Sequence, residues 1–218
     1  MTVDFNQPPE QSDPFPILQR FARRRSATPV ERCDLCGLEL TAEHAHLLEP
    51  SNRQLHCACQ ACAILFSNKG DGRFSRVPHR VTYLPAFRLT DLQWSSLMLP
   101  IQLAFFFDST PDKKVIALYP SPAGATESLL PLEAWDEIVE QNVSLQKMEK
   151  DVEALLVNRV GEKREYFIAP IDECYKLVGL IRAKWHGLSG GTEAWKAINE
   201  FFVALKDRSV IAKEVANA

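Results

Sequence analysis

An α+β fold is the expectation for this 218-residue chain: a small N-terminal zinc-ribbon- or treble-clef-like cysteine module joined to a largely antiparallel sheet domain with C-terminal helices. Three observations predict it. Two Cys-x-x-Cys pairs fall close together near the N-terminus. Apolar runs of strand length follow, paired across turn sequences. Two segments of helical periodicity close the chain.

Residues 1–14, rich in Gln, Pro, Asp and Ser, read as a flexible tail. Over 15–25, Ile17, Leu18 and Phe21 share a helical face, and the arginines gather toward the C-terminal end, where the helix dipole favours cations. Arg23, Arg24 and Arg25 read as a solvated helix end or as a docking patch for an acidic partner. This helix and the cysteine module make up residues 15–69, and a glycine-containing loop opens the α+β domain of 70–209. Residues 73–84 alternate roughly, and Pro78 demotes them to an edge or bent strand. Thr90 is placed to cap a helix carrying Leu92, Trp94 and Leu97. The runs 101–107 and 115–119 flank a Ser-Thr-Pro-Asp-Lys turn and read as a hairpin in mid-sheet. Residues 120–125 read as a loop, and Pro131 as the start of a helix with Trp135, Ile138 and Val139. A second hairpin, 152–160 with 166–169, turns at Gly-Glu-Lys-Arg. The closing helices are expected over 172–185 and from Thr192 onward, with 210–218 as a tail.

The cysteine module carries the chemistry. Five of six cysteines lie between residues 33 and 62, in Cys33-Asp-Leu-Cys36-Gly37 and Cys57-Ala-Cys59-Gln-Ala-Cys62. A Cys-x-x-Cys turn converges two thiolates on one point, and two such turns supply the tetrahedral sulfur set that suits zinc. The stretch between them is long enough for a hairpin, with 46–48 and 54–56 as strands and Pro50-Ser-Asn-Arg53 as the turn. Knuckle spacing assigns Cys33, Cys36, Cys59 and Cys62 as the ligands. Cys57, two residues before Cys59 in an extended stretch, should point along the same face and competes as an alternative ligand. Iron is the rival metal, because four thiolates also suit a mononuclear, rubredoxin-like iron site with redox function. Few large apolar residues are available to hold the module together without a metal.

His44 and His46 alternate onto one side of a strand, as solvent-facing or capping residues or as a secondary site. Cys33-x-x-Cys36, His46 on a strand and Cys59-x-x-Cys62 together look like the zinc-bearing HNH nuclease motif, with Glu43-His44 in the place of its acidic residue and general base. That family has a metal-binding His or Asn after the second cysteine pair. Ala63-Ile64-Leu65-Phe66 stands there instead, which removes the catalytic ligand and leaves a degenerate, nucleic-acid-binding relative as the alternative.

Composition argues against nucleic acid as a partner. The formal charge is −3; residues 1–80 hold ten Lys/Arg against nine Asp/Glu, and 81–218 fifteen against nineteen. The N-terminus lacks the basic start and apolar stretch of an export signal. The apolar run 97–107 is interrupted by Pro100 and Gln102 and falls short of the ~20 residues of a membrane helix. A cytoplasmic location follows as an expectation, and in a reducing compartment the cysteines would serve a metal rather than disulfides. Lone Cys174 reads as packed in a helix, and Ser189-Gly190-Gly191 as an interhelix turn. No nucleophile–base pair, phosphate-binding glycine motif or paired carboxylates with catalytic spacing stands out, so catalytic residues are assigned to none.

The chain resembles a bacterial family typically encoded beside high-affinity nickel–iron hydrogenases. The resemblance rests on Arg32-Cys-Asp-Leu-Cys-Gly37, Cys57-Ala-Cys-Gln-Ala-Cys-Ala-Ile-Leu-Phe66, Ala117-Leu-Tyr-Pro-Ser-Pro-Ala-Gly-Ala-Thr126, Pro170-Ile-Asp-Glu-Cys-Tyr-Lys-Leu-Val-Gly179 and Trp185-His-Gly-Leu-Ser-Gly-Gly191. It implies an accessory role in assembly, stabilisation or electron handling, with hydrogenase subunits or maturation factors as partners.

Overall fold

The computed structural model describes residues 30–67, 73–128, 135–187 and 189–212. The expected N-terminal tail and helix, the loop at 69–72, the helix start at Pro131 and residues 213–218 lie outside the described residues.

Two sheets organise the described residues. In the small one, β1 (Ala45–Glu49) and β2 (Gln54–Ala58) form an antiparallel hairpin, and β3 (Ser75–Arg76) pairs with the other edge of β1. Arg53 closes the hairpin turn with a φ of 59°. Helix α1 (Gln60–Phe66) follows β2 directly.

The large sheet has seven strands in the order β10-β4-β9-β8-β5-β6-β7. They are β4 (Thr82–Tyr83), β5 (Leu103–Ser109), β6 (Lys114–Ser121), β7 (Gly124–Glu127), β8 (Glu153–Asn158), β9 (Glu165–Pro170) and β10 (Val210–Ile211). Every pairing is antiparallel except β10 with β4. Helices cover both faces. On one face α4 (Ile171–Lys184) and α5 (Gly191–Asp207) pack Leu177, Ile181, Ile198 and Phe202 against Phe105, Leu156 and Phe167. On the other, α2 (Asp91–Ser96), α3 (Trp135–Gln141) and a 3-10 turn (Val143–Lys147) bring Trp94, Trp135, Ile138 and Leu145 onto Ala104, Phe106 and Leu155. Successive residues of β5 therefore enter opposite cores. This is why the central strands read as unbroken apolar runs rather than alternating ones. Each large side chain so buried contributes on the order of 1.5–3 kcal/mol.

Three details differ from expectation. Residues 73–84 are not one bent strand. The chain leaves the small sheet after Arg76, passes Pro78, and enters the large sheet at Thr82. Part of the expected loop at 120–125 is strand: β6 runs to Ser121 and β7 begins at Gly124. The β7 sequence Gly-Ala-Thr-Glu is an edge strand, half-buried throughout, so it has no apolar run to announce it. The expected tail from 210 begins with β10, which extends the sheet beyond β4.

The β1–β2 hairpin has two working faces. Ala45, Leu47 and Ala58 face a small core with Cys33, Cys59, Cys62, Ala63 and Phe74. Leu48 on the other face joins the main core, with Leu55 packed against it. The hairpin thus welds the cysteine module onto the sheet domain.

Candidate metal centre

The first knuckle is a tight turn. Gly37 adopts a φ of 75°, a conformation that favours glycine, and its N–H donates to the Cys33 carbonyl at 2.8 Å. Cys33 N–H donates to Leu38 O at 2.8 Å. Asp34 fastens the turn to β2: its N–H donates to Cys57 O at 2.9 Å, and its Oδ2 accepts from Cys57 N–H at 2.7 Å. The second pair begins α1. Cys59 is the N-cap, and its sulfur accepts from the Cys62 N–H at 3.5 Å. The order of knuckle, hairpin and helix bearing the second pair in its first turn is treble-clef-like.

These turns bring the sulfurs of Cys33, Cys36, Cys59 and Cys62 within 4.8 Å of one another. Cys36 Sγ lies 3.8 Å from Cys59 Sγ. A tetrahedron with metal–sulfur bonds of ~2.3 Å has an edge of about 3.8 Å, so the group could hold a metal ion. Cys33, Cys59 and Cys62 are buried, Cys36 lies on the rim, and all four thiols are free.

The electrostatics fit a site that needs a cation. Burial pushes the Cys33 thiol up, but hydrogen bonds from the Cys59, Leu35 and Cys36 backbone and from the Cys36 side chain outweigh it and bring it down to about 6. Burial, then the neighbouring Cys59, Cys36 and Cys33 sulfurs, push Cys62 up to about 12. One thiolate is favoured, and further negative charge beside it is resisted. The surrounding core is thin: apart from the cysteines and alanines, only Leu47 and Phe74 among the described residues are buried in it.

Cys57 does not share the face of Cys59. The strand ends at Ala58 and the chain turns into α1 at Cys59, which breaks the alternation. Cys57 sits opposite His46 across the hairpin, and its thiol groups with His44 and His46 instead. That grouping was within reach of the sequence, because a four-residue turn between strands ending at 49 and starting at 54 pairs 46 with 57. The partner of His46 was not: Asp172 Oδ2 accepts from its Nδ1 at 2.8 Å, from 126 positions away along the chain. Asp172, then its charge together with those of Glu31 and Glu173 against the burial penalty, raises the His46 pKa. Cys174 is wholly buried in α4, and burial pushes its thiol well above the ordinary value, as suits a packing residue.

Residues 32–209 match the family of unknown function DUF5947. The chain belongs to that family. The match takes in both cysteine pairs and every described strand but β10. No curated protein and no solved structure matches the chain. Among the described residues no helix is long and apolar enough to cross a membrane.

Proposed function

We propose that Cys33, Cys36, Cys59 and Cys62 hold a structural zinc ion, and that the chain is a zinc-stapled accessory protein that docks onto a component of a nickel–iron hydrogenase system. The observation that carries the metal reading is the convergence of four sulfurs inside a module with almost no apolar core of its own. A structural zinc site is worth on the order of 10–16 kcal/mol of apparent binding energy in small peptides, comparable to the stability of a whole domain. Zinc rather than iron fits a knot whose role is to set a shape; iron in the same four thiolates would make a redox centre, and absorption in the visible would identify it.

Two things support an interaction role. Leu38, Ile64, Leu65 and Phe66 are exposed around the cysteine site, where the metal would fix the shape of an apolar surface. The motif resemblance points to hydrogenase subunits or maturation factors in the cytoplasm. The tryptophans contribute less than their number suggests: Trp94 and Trp135 are core residues, and Trp195 is the exposed member of the set.

Elemental analysis should return zinc retained through dialysis, and Cys33→Ser or Cys62→Ser should lose it, whereas Cys57→Ser should keep the four-cysteine ion. Zinc lost in Cys57→Ser but kept in Cys59→Ser would reverse the ligand assignment. For the partner, deleting the gene should lower hydrogen uptake in the host, and a copy lacking Cys33 and Cys36 should fail to restore it. Normal uptake, subunit processing and hydrogenase abundance in the deletion strain would sink the accessory role and leave the zinc site standing.

A further inference from the structure

On the hairpin face opposite the four cysteines, the ligand-type atoms of His44, His46 and Cys57 lie within 4.8 Å of one another. Both imidazoles are held by the same nitrogen. His44 Nδ1 lies 2.9 Å from the Thr41 carbonyl oxygen, and His46 Nδ1 lies 2.8 Å from Asp172 Oδ2. An acceptor at Nδ1 places the proton there and leaves the Nε2 lone pair bare. The His44 side chain is 7% exposed, and its Nε2 is buried with no hydrogen-bond partner among the described residues. A buried acceptor left in that state is costly unless something binds it. Metal-ligating histidines hold this arrangement, with one nitrogen donating to a carboxylate or carbonyl and the other free for the ion.

We infer that His44, His46 and Cys57 bind a second metal ion, a divalent transition metal of borderline softness such as zinc or cobalt. Two imidazoles and a thiolate suit such ions, whereas magnesium and calcium require oxygen ligands. Cys57 loses its thiol proton to solvent as the ion binds. Three protein ligands leave one position of a four-coordinate ion for water or another exogenous ligand, which separates this site in kind from the closed four-cysteine knot. Asp172 and the Thr41 carbonyl are positioning groups. Because Asp172 lies in the first turn of α4, the ion would also clamp the hairpin to the sheet domain. Asp172, His46 and Cys57 in that order also suggest a cysteine nucleophile with its base, but that reading gives the buried, unpartnered nitrogen of His44 nothing to do.

The test uses the full chain, dialysed against a mild chelator until its zinc content is constant and then titrated with cobalt(II), while released zinc is measured. The expected result is one further equivalent of cobalt taken up without zinc release, with thiolate-to-cobalt charge-transfer absorption. His44→Ala and Cys57→Ser should abolish that absorption while keeping the retained zinc and the circular dichroism spectrum. Asp172→Asn should keep the stoichiometry and weaken cobalt binding by roughly 10–100-fold. Wild-type protein that takes up no second ion, or a cobalt–thiolate band that survives in Cys57→Ser, overturns the site. Fast, His46-dependent alkylation of Cys57 in protein that takes up no cobalt would assign the nucleophile instead. Retained zinc without cobalt uptake removes this second site alone, and cobalt uptake of one equivalent that depends on His44 and Cys57, in protein that retains no zinc, removes the four-cysteine reading alone.

Discussion

Gly190 shows how narrowly some single positions are determined. It caps α5 with a φ of 84°, and a Cβ added there would stand 2.9 Å from ring carbons of Trp185. Trp185 Nε1–H donates to Gly187 O at 3.1 Å, Trp195 Nε1–H donates to Ser189 O at 2.9 Å, and the two indoles meet edge to face at 5.7 Å. The Ser-Gly-Gly sequence is therefore an interhelix turn sealed by two aromatic rings. Gly190→Ala meets both an unfavourable backbone conformation and a steric contact, and should cost roughly 2–3 kcal/mol. Thermal unfolding would read the loss, and tryptophan fluorescence would shift with the displaced ring; an unchanged melting temperature would show that the turn relaxes freely.

At the scale of elements, Arg53 links the hairpin to the sheet. From the β1–β2 turn its guanidinium reaches Asp112 in the β5–β6 turn at 2.9 Å and Glu127 on β7 at 2.8 Å. The Ser109 hydroxyl and then Arg53 hold the Asp112 carboxyl below its usual range. A carboxylate depressed in the folded state stabilises it fully above the unfolded value, near ~3.9, and the contribution fades as pH falls from there through the folded pKa. Asp112→Asn should therefore melt below wild type at pH 7, with the gap closing as the pH drops below that range. A gap independent of pH would mean that Asp112 acts by packing or neutral hydrogen bonding.

For the whole molecule, the sheet domain and the cysteine module predict two unfolding behaviours. The seven-stranded sheet is held by large apolar side chains on both faces, while the cysteine module has a thin core and, on the proposed reading, relies on a metal ion. Stripping the metal with a strong chelator should make residues 31–66 sensitive to limited proteolysis and leave the sheet domain intact. Global unfolding on chelation would show that the hairpin, through Leu48, carries more of the main core than its size suggests. The whole-molecule charge and the apolar run after Cys62 also predict that plasmid DNA stays intact with magnesium, manganese or nickel; cleavage abolished by His44→Ala would revive the nuclease alternative.

By itself the sequence determined what short spacings can specify. Two Cys-x-x-Cys turns around a hairpin-length insert locate the sulfur cluster, because backbone geometry over four residues converges the thiolates wherever the module sits. The β5–β6 and β8–β9 hairpins were legible because their buried runs flank turn residues, and α2 because Thr90 stands where a cap belongs; the structure adds Gln93 to make it a capping box. Only the tertiary structure decided the rest. β7 and β10 are strands because a neighbouring edge offers them hydrogen bonds, since neither carries a buried apolar run. Folding α4 beside β1 brought Asp172 to His46. Local periodicity reports which face of an element is buried; it carries no signal for which distant polar group will be waiting on that face.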